Sequence, residues 1–284
     1  MAGIRIVTDS TSCLPPELVE EYGITVVPVG LVIDGQPHRD GIDITLEEIC
    51  ERIETLDRQP TTSAVSPGDF VTVFSELADS ADGILCILVS RALTATQESA
   101  YVARRMVRTR HPGVSIEVID SRTSAGALGF IVLEAARAAA EGKSLEEIVA
   151  VTRDMVSRVY YLAALDTLKY LISMGRAPRS GNIGEMLGVK PIIGFVDDTG
   201  MTEVVARVRG RHRSLAKVAD LVGRYVDGDR PIHLMVHYSN GAGDAEELMA
   251  LLRQQYTCAE SYSTPYSPTM VGATGPMVGV SFYQ

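Results

Sequence analysis

Apolar positions along the chain alternate between two periods. Short runs such as "IRIVTDS", "GILCILVS" and "VSIEVIDS" read as strands, and each is followed by a longer segment with helical spacing. "GILCILVS" is apolar throughout, as expected of a parallel strand covered on both faces. "STSCLPPELVEEYG" runs from a loop into a helix, with Pro15 or Pro16 in its first turn and Gly23 at its end. "ITVVPVGLVIDG" is strand material with a turn at Asp34-Gly35. "TLEEICERIET" predicts a helix capped by Thr45, with Glu48 as the box partner. "QPTTSAVSPGDF", Gln59 to Phe70, reads as a hydroxyl-rich loop entering another helix. "ALTATQESAYVARRMVRTRHPG" predicts a helix from near Thr94. "TSAGALGFIVLEAARAAAEGKSLEEIVAVTRDMVSRV" predicts a long helix rich in small residues, a stop at Gly142 and a second helix.

The pattern changes after about Ser157. "YLAALDTLKYLISMGR" is read as helical. "PRSGNIGEMLGVKPIIGFVDDTGMTEVVARVRG" is read as a loop, a short helix and a hairpin turning at Asp198–Gly200. "RHRSLAKVADLVGRYV" and "GDAEELMALLRQQY" are helices on either side of the strand "PIHLMVHYSN", and "MVGATGPMVGVSFYQ" closes the chain as a Gly-rich strand region. With 284 residues, two domains are expected. The predicted fold is α/β. Residues 1–157 form an N-terminal domain with a mostly parallel open sheet and flanking helices, and residues 158–284 form a smaller C-terminal α/β or α+β domain.

Hydrophobic content of 46% and charged content of 22% are globular values. The 36 acidic against 26 basic residues give a net charge of -10, a surface that repels nucleic acid and anionic membrane. Cys13, Cys50, Cys86 and Cys258 contain no CxxC pair, which suits a reducing compartment. The start "MAGIRIVTDS" carries neither a long apolar segment nor a cleavage signal, and no spanning run follows. A soluble cytoplasmic protein without stable membrane insertion is expected. His233 and His237 fall on one face of a strand, too far apart to share a metal easily. No metal or cofactor is predicted.

In an open α/β sheet the ligand edge lies beyond the strand C-termini. Those ends are Thr8 to Ser12, with Asp9 and Ser10; the loop at Thr61–Ser63; Ser90 to Thr96; and Asp120 to Gly126, with Ser121. All carry small hydroxyls, which predicts a shared ligand site. A phosphatase using a strand-end aspartate needs a second aspartate two residues on, and that position is Thr11. Asp9 is therefore read as a loop brace or pocket-edge residue ahead of a nucleophile. A hydrolase acting on an acyl or phosphoryl ester through Asp9 or a serine is the alternative. Thr94, at a strand-to-helix transition, is placed to face a carboxylate with the N–H groups that follow it. Thr62 or Ser63 offers a second donor, and Arg176 either brings charge from the second domain or faces water. Hydroxyl–carboxylate bonds of about 1.5–3 kcal/mol each orient a head group. Burial at ~0.8 kcal/mol per CH₂ supplies the affinity, a sum that a fatty acid fits. The small residues of "SAGALGF" either leave room for its chain or pack helices closely.

The stretches "IVTDSTSCLP", "TTSAVSPGDF", "SRALTATQESA", "VIDSRTSAG", "LDTLKYLISMGRAPR" and "LGVKPIIGFVDDTG" occur in an order and spacing that resembles the DegV family of bacterial fatty-acid-binding proteins, over nearly the whole chain. The resemblance implies a DegV-like two-domain fold with a long-chain fatty acid in the cleft between domains. Its carboxylate would be held at Thr62 or Ser63, Thr94 and Arg176, with Thr274 at the pocket edge. It implies a carrier, not an enzyme, with no cofactor, and a separate fatty acid kinase catalytic subunit as a partner to which the lipid is presented. Where many members carry a histidine before Thr-Gly-Pro, this chain has Ala273, which implies a lost head-group donor; Tyr262 or Tyr266 is a candidate substitute.

Overall fold

The computed structural model describes residues 3–176, 188–195 and 199–284, and among these the strands form three sheets. The first half contains β1 (Ile4–Asp9), α1 (Pro16–Glu21), β2 (Thr25–Val27), β3 (Gly30–Ile33), β4 (Gln36–Arg39), α2 (Leu46–Arg52), β5 (Thr61–Ser63) and α3 (Pro67–Ala78). It continues with β6 (Gly83–Leu88), α4 (Thr96–Arg110), β7 (Ser115–Asp120), α5 (Ala125–Ala140) and α6 (Leu145–Val156). The second half contains β8 (Tyr160–Leu165), α7 (Lys169–Ser173), β9 (Val189–Phe195), β10 (Thr202–Arg209) and α8 (Arg211–Val222). It ends with β11 (Ile232–Tyr238), α9 (Gly243–Gln255), β12 (Cys258–Pro265), α10 (Pro268–Thr274) and β13 (Met277–Tyr283).

The first sheet, in the order β2-β1-β6-β7, is parallel throughout. All six residues of β6 are buried because both faces are covered. Ile84, Cys86 and Leu88 pack with Phe70, Phe74 and Ala103 of α3 and α4, while Leu85 and Ile87 join the cluster around α5. This is the strand period of two acting on an unbroken apolar run. The second sheet is mixed, in the order β10-β9-β8-β13-β11-β12, with only β11 and β12 parallel. A small antiparallel sheet, β4-β3-β5, completes the α/β fold, with α10 packed on β3 and β5.

α5 lies between the two large sheets, against β1 and β6 on one side and β8, β11 and β13 on the other. A helix apolar on all sides is a buried one. Its small residues serve close packing: a Cβ on Gly126 would sit 2.4 Å from His237 Nε2, and one on Gly129 would sit 2.7 Å from the Ser12 carbonyl oxygen. The local helix signals operate as read. Thr45 and Glu48 form the capping box, Pro16 opens α1, and Gly142 turns the chain between α5 and α6 at φ 79°.

Four expectations change. "YYLAAL" is a strand, not a helix: Tyr161, Ala163 and Leu165 face one core while Leu162 and Ala164 face another, and helix survives only at Lys169–Ser173. Thr61–Ser63 is a strand paired with β3 rather than a loop. "SPTMVGAT" is a helix, capped by Ser267 accepting the Met270 N–H at 3.4 Å, with Pro268 in its first turn. β12 pairs with β11, although "CAESYSTP" carries no strong strand pattern. The short helix expected after Arg179 and the Asp198 side of the expected turn lie outside the described residues.

Candidate ligand-binding site

Side chains of the second and third sheets, and of the segments that follow the strands of the first, line a cavity of ≈ 730 Å³, open mouth included. Its apolar walls include Val29, Val89, Leu93, Leu171, Ile193 and Phe195.

Arg176 enters this cavity from just beyond α7. Gly175, at φ 68°, turns the chain so that the Arg176 N–H donates to the Leu171 carbonyl at 2.8 Å, a helix-closing geometry that glycine adopts without strain. The guanidinium then reaches across to β5, where Nη2 donates to Thr62 Oγ1 at 2.9 Å, over 114 residues of sequence. Burial lowers the arginine's pKa from its ordinary value, yet a guanidinium stays charged. Among the described residues no carboxylate pairs with it. A partly buried cation with no carboxylate partner among the described residues is a group that can accept an anion. Ser63 lines the cavity beside Thr62. Its register partner is Gly30, and a Cβ at Gly30 would land on Ser63 Oγ, so glycine there is what lets the hydroxyl sit where it does.

Thr94 also lines the cavity, but the Thr96 N–H that follows it is taken up by Thr94 itself. α4 begins at Thr96, and Thr94 Oγ1 accepts the Thr96 N–H at 3.3 Å and lies 3.0 Å from Thr96 Oγ1. Thr96 Oγ1 in turn accepts the Val65 N–H, binding the segment after β5 to the start of α4. Thr274 lines the cavity beside Ala273, with its hydroxyl donating to the Met270 carbonyl at 2.8 Å. Of the tyrosines considered as substitute donors, Tyr262 donates to Glu260 at 2.7 Å and lines no part of the cavity. Tyr266 is buried behind Tyr161, the two hydroxyls 2.9 Å apart, and it is Tyr161 that faces the cavity.

Four residues read as pocket edge do not line the cavity. Asp9 is fully buried: Oδ1 accepts the Thr11 N–H at 3.0 Å and the Thr11 hydroxyl at 2.5 Å, and Oδ2 accepts the Val89 N–H at 2.8 Å. Burial raises its pKa. With both oxygens engaged and no access to solvent, Asp9 ties the end of β1 to the end of β6 and is not placed as a nucleophile. Ser10 Oγ donates to Asp40 at 2.5 Å, Ser90 Oγ to the Gly200 carbonyl at 2.7 Å, and Ser121 Oγ to the Thr123 carbonyl at 3.1 Å. Short hydroxyl side chains at strand ends are spent here on their own turns and on neighbouring loops.

Conversely, Thr11, Ser124, Thr202 and Thr269 line the cavity without having been singled out. Thr11 and Ser124 belong to strand-end hydroxyl clusters and were within reach of that signal. Thr202 and Thr269 stand at element starts that carry no local ligand signature. His237 is buried with its pKa lowered by burial to about 3, and His233 Nδ1 lies 2.7 Å from Glu260. Among the described residues no group of three or more His, Cys, Asp or Glu side chains is arranged to hold a metal, and no helix is long and apolar enough to cross a membrane.

Comparison with known proteins agrees with the architecture. The family described as uncharacterised proteins of the DegV family matches residues 3–284. A DegV domain-containing protein from Caldanaerobacter subterraneus subsp. tengcongensis is 39% identical over 221 residues, covering 78% of this chain and 76% of its own length. Among solved structures, a DegV family protein from Thermus thermophilus described for its fatty acid binding superposes with a TM-score of 0.88 at 28% identity, covering 99% of each chain. DegV from Bacillus subtilis, described as a fatty acid binding protein, superposes with a TM-score of 0.85 at 26% identity over 100% of both chains. Matched from end to end in sequence and in fold, the chain belongs to the DegV family.

Proposed function

We propose that the protein binds a long-chain fatty acid, its carboxylate beside Arg176 and the hydroxyls of Thr62, Ser63 and Thr94 and its hydrocarbon chain along the apolar walls. The observation that carries this reading is the partly buried guanidinium of Arg176, held by Thr62 at the edge of an apolar cavity and without a carboxylate partner among the described residues. The pairing of one cation with mostly aliphatic walls suits an anion with a long apolar tail better than a compact polar substrate. About a dozen buried methylenes contribute roughly 10 kcal/mol, enough to offset the cost of association. The descriptions of the related Thermus thermophilus and Bacillus subtilis proteins as fatty acid binders support the same ligand class.

In this reading the protein is a carrier, and the chemistry belongs to a partner. A separate fatty acid kinase, to which the bound lipid is presented, is the partner that fits. The split of the strands between sheets, residues 4–120 against 160–283, supports treating 1–157 and 158–284 as the two units flanking the ligand. Native mass spectrometry of freshly purified protein, followed by denaturation and lipid identification, tests the proposal. A stoichiometric long-chain fatty acid is expected. A protein that is empty and that fails to take up added fatty acid overturns it.

A further inference from the structure

One wall of the cavity carries a hydroxyl that has no hydrogen-bond partner among the described residues. Thr202, the first residue of β10, is 5% exposed, lines the cavity, and has no hydrogen-bond partner for Oγ1 among the described residues. Ser124 lines the same cavity at 6% exposure. It is the N-cap of the 16-residue α5, but its side chain makes no capping bond, and the first turn of α5 has no acidic residue. Two contacts hold these groups near each other. Ser90 Oγ donates to the carbonyl of Gly200, two residues before Thr202, and the Ser90 N–H donates to the carbonyl of Thr123, next to Ser124.

A buried hydroxyl without a partner is rare and costly in a folded chain, and the amino end of α5, where His237 Nε2 accepts the Gly126 N–H but no acidic side chain stands in the first turn, keeps a positive dipole end at Ser124. Both call for the same thing, an acceptor oxygen arriving from the cavity. We infer that Thr202 and the amino end of α5 at Ser124 form a second arm of the head-group receptor, on β10 and α5 rather than on β5, which takes the carboxylate oxygen that the Thr62–Arg176 pair leaves free. This rests on the fatty-acid reading of the cavity. It makes Thr202 a specificity residue that recognises the oxygen of the ligand and not its chain. A threonine that merely filled space at this position would be replaced by valine without consequence for the ligand.

The test compares wild type with Thr202→Val, Thr202→Ser and Ser124→Ala, using oleic acid labelled with ¹³C at the carboxyl carbon. Thr202→Val is expected to weaken oleic acid binding about tenfold and to move the carboxyl resonance of the bound ligand, while the ligand-free melting midpoint stays equal or rises. Thr202→Ser restores both affinity and resonance. Ser124→Ala lowers affinity in the same direction, and provides the answer if Thr202→Val does not fold. If wild type binds oleic acid and Thr202→Val and Ser124→Ala bind it equally well with an unmoved resonance, the second arm is overturned while the fatty-acid reading stands. If wild type takes up no oleic acid at all, both fall together.

Discussion

His237 Nε2 accepts the N–H of Gly126 at 3.0 Å, so a histidine of β11 caps the amino end of α5. The ring must be neutral at Nε2 to do this, and burial lowers its pKa from the ordinary 6.5 to about 3. The folded state therefore binds the proton less tightly than the unfolded chain. The stability from this group is full above the unfolded value near 6.5 and is lost as pH falls from there toward 3. The loss should run to about 1 kcal/mol per pH unit in that window. Urea unfolding of wild type and His237→Asn at pH 7.5, 6 and 5 (choices on the order of one unit apart) isolates it. The wild-type slope should exceed the variant's, and parallel slopes would remove His237 as the cause.

Replacing Arg176 by methionine keeps the length of the side chain and removes the cation. Fatty acid affinity should fall about 10- to 100-fold, because a charged hydrogen bond in a buried site is lost. The variant itself should be at least as stable as wild type without ligand, since a partly buried charge with no carboxylate partner among the described residues has gone. Isothermal titration with oleic acid and thermal unfolding of the ligand-free proteins measure both. Unchanged affinity would place the carboxylate elsewhere.

Gly129 faces the backbone where β1 runs into its following turn. A Cβ there would lie 2.7 Å from the Ser12 carbonyl oxygen and 3.3 Å from Leu14. Backbone does not move aside as a side chain end does. Gly129→Ala is expected to cost about 1–3 kcal/mol in denaturant unfolding, despite alanine's better helix propensity. A neutral or stabilising result would mean that α5 can shift in its slot.

Glu260 joins three elements. Arg137 reaches its two oxygens at 3.0 and 2.7 Å, His233 Nδ1 lies 2.7 Å away, and the Tyr262 hydroxyl donates at 2.7 Å. Burial pushes the carboxyl's pKa up, but the bonds from His233, Arg137 and Tyr262 outweigh it and hold the group well below the usual range. A depressed carboxylate contributes stability above its unfolded value and loses it as pH falls. Glu260→Gln should cost roughly 1–3 kcal/mol at neutral pH, with the difference from wild type shrinking in acid below the ordinary carboxyl value of 4.5. Paired urea titrations at neutral and acid pH check the sign, and a constant difference would contradict it.

Elements whose signals are local were readable in advance. Thr45 with Glu48, Asp34 with Gly35, and the unbroken apolar run of β6 are each decided by a few neighbouring residues. "YYLAAL" was not, because Leu and Ala suit a helix and the strand is imposed by the two cores on either side of it. The cavity shows the same division. Hydroxyl-rich strand ends can be seen in the sequence, but which hydroxyls turn inward depends on loop contacts such as Ser90 with Gly200. The meeting of Thr62 with Arg176 spans 114 residues, and the residues alone left Arg176 either bringing charge to the site or facing water. Thr202 had neither kind of signal, since its place in the cavity wall follows from the pairing of β10 with β9, where it stands opposite Phe195.

α5 contributes to one continuous cluster that also contains Leu85 of the first sheet, Tyr161 and Met235 of the second and Leu31 of the third. Neither half of the chain can come apart while the other stays whole, because each supplies one side of the same helix. The amide protons of α5 should therefore be the last to exchange with heavy water, leaving only when the entire chain opens. A fragment ending at residue 157 would present the bare second side of that helix to solvent and would collapse onto other copies of itself.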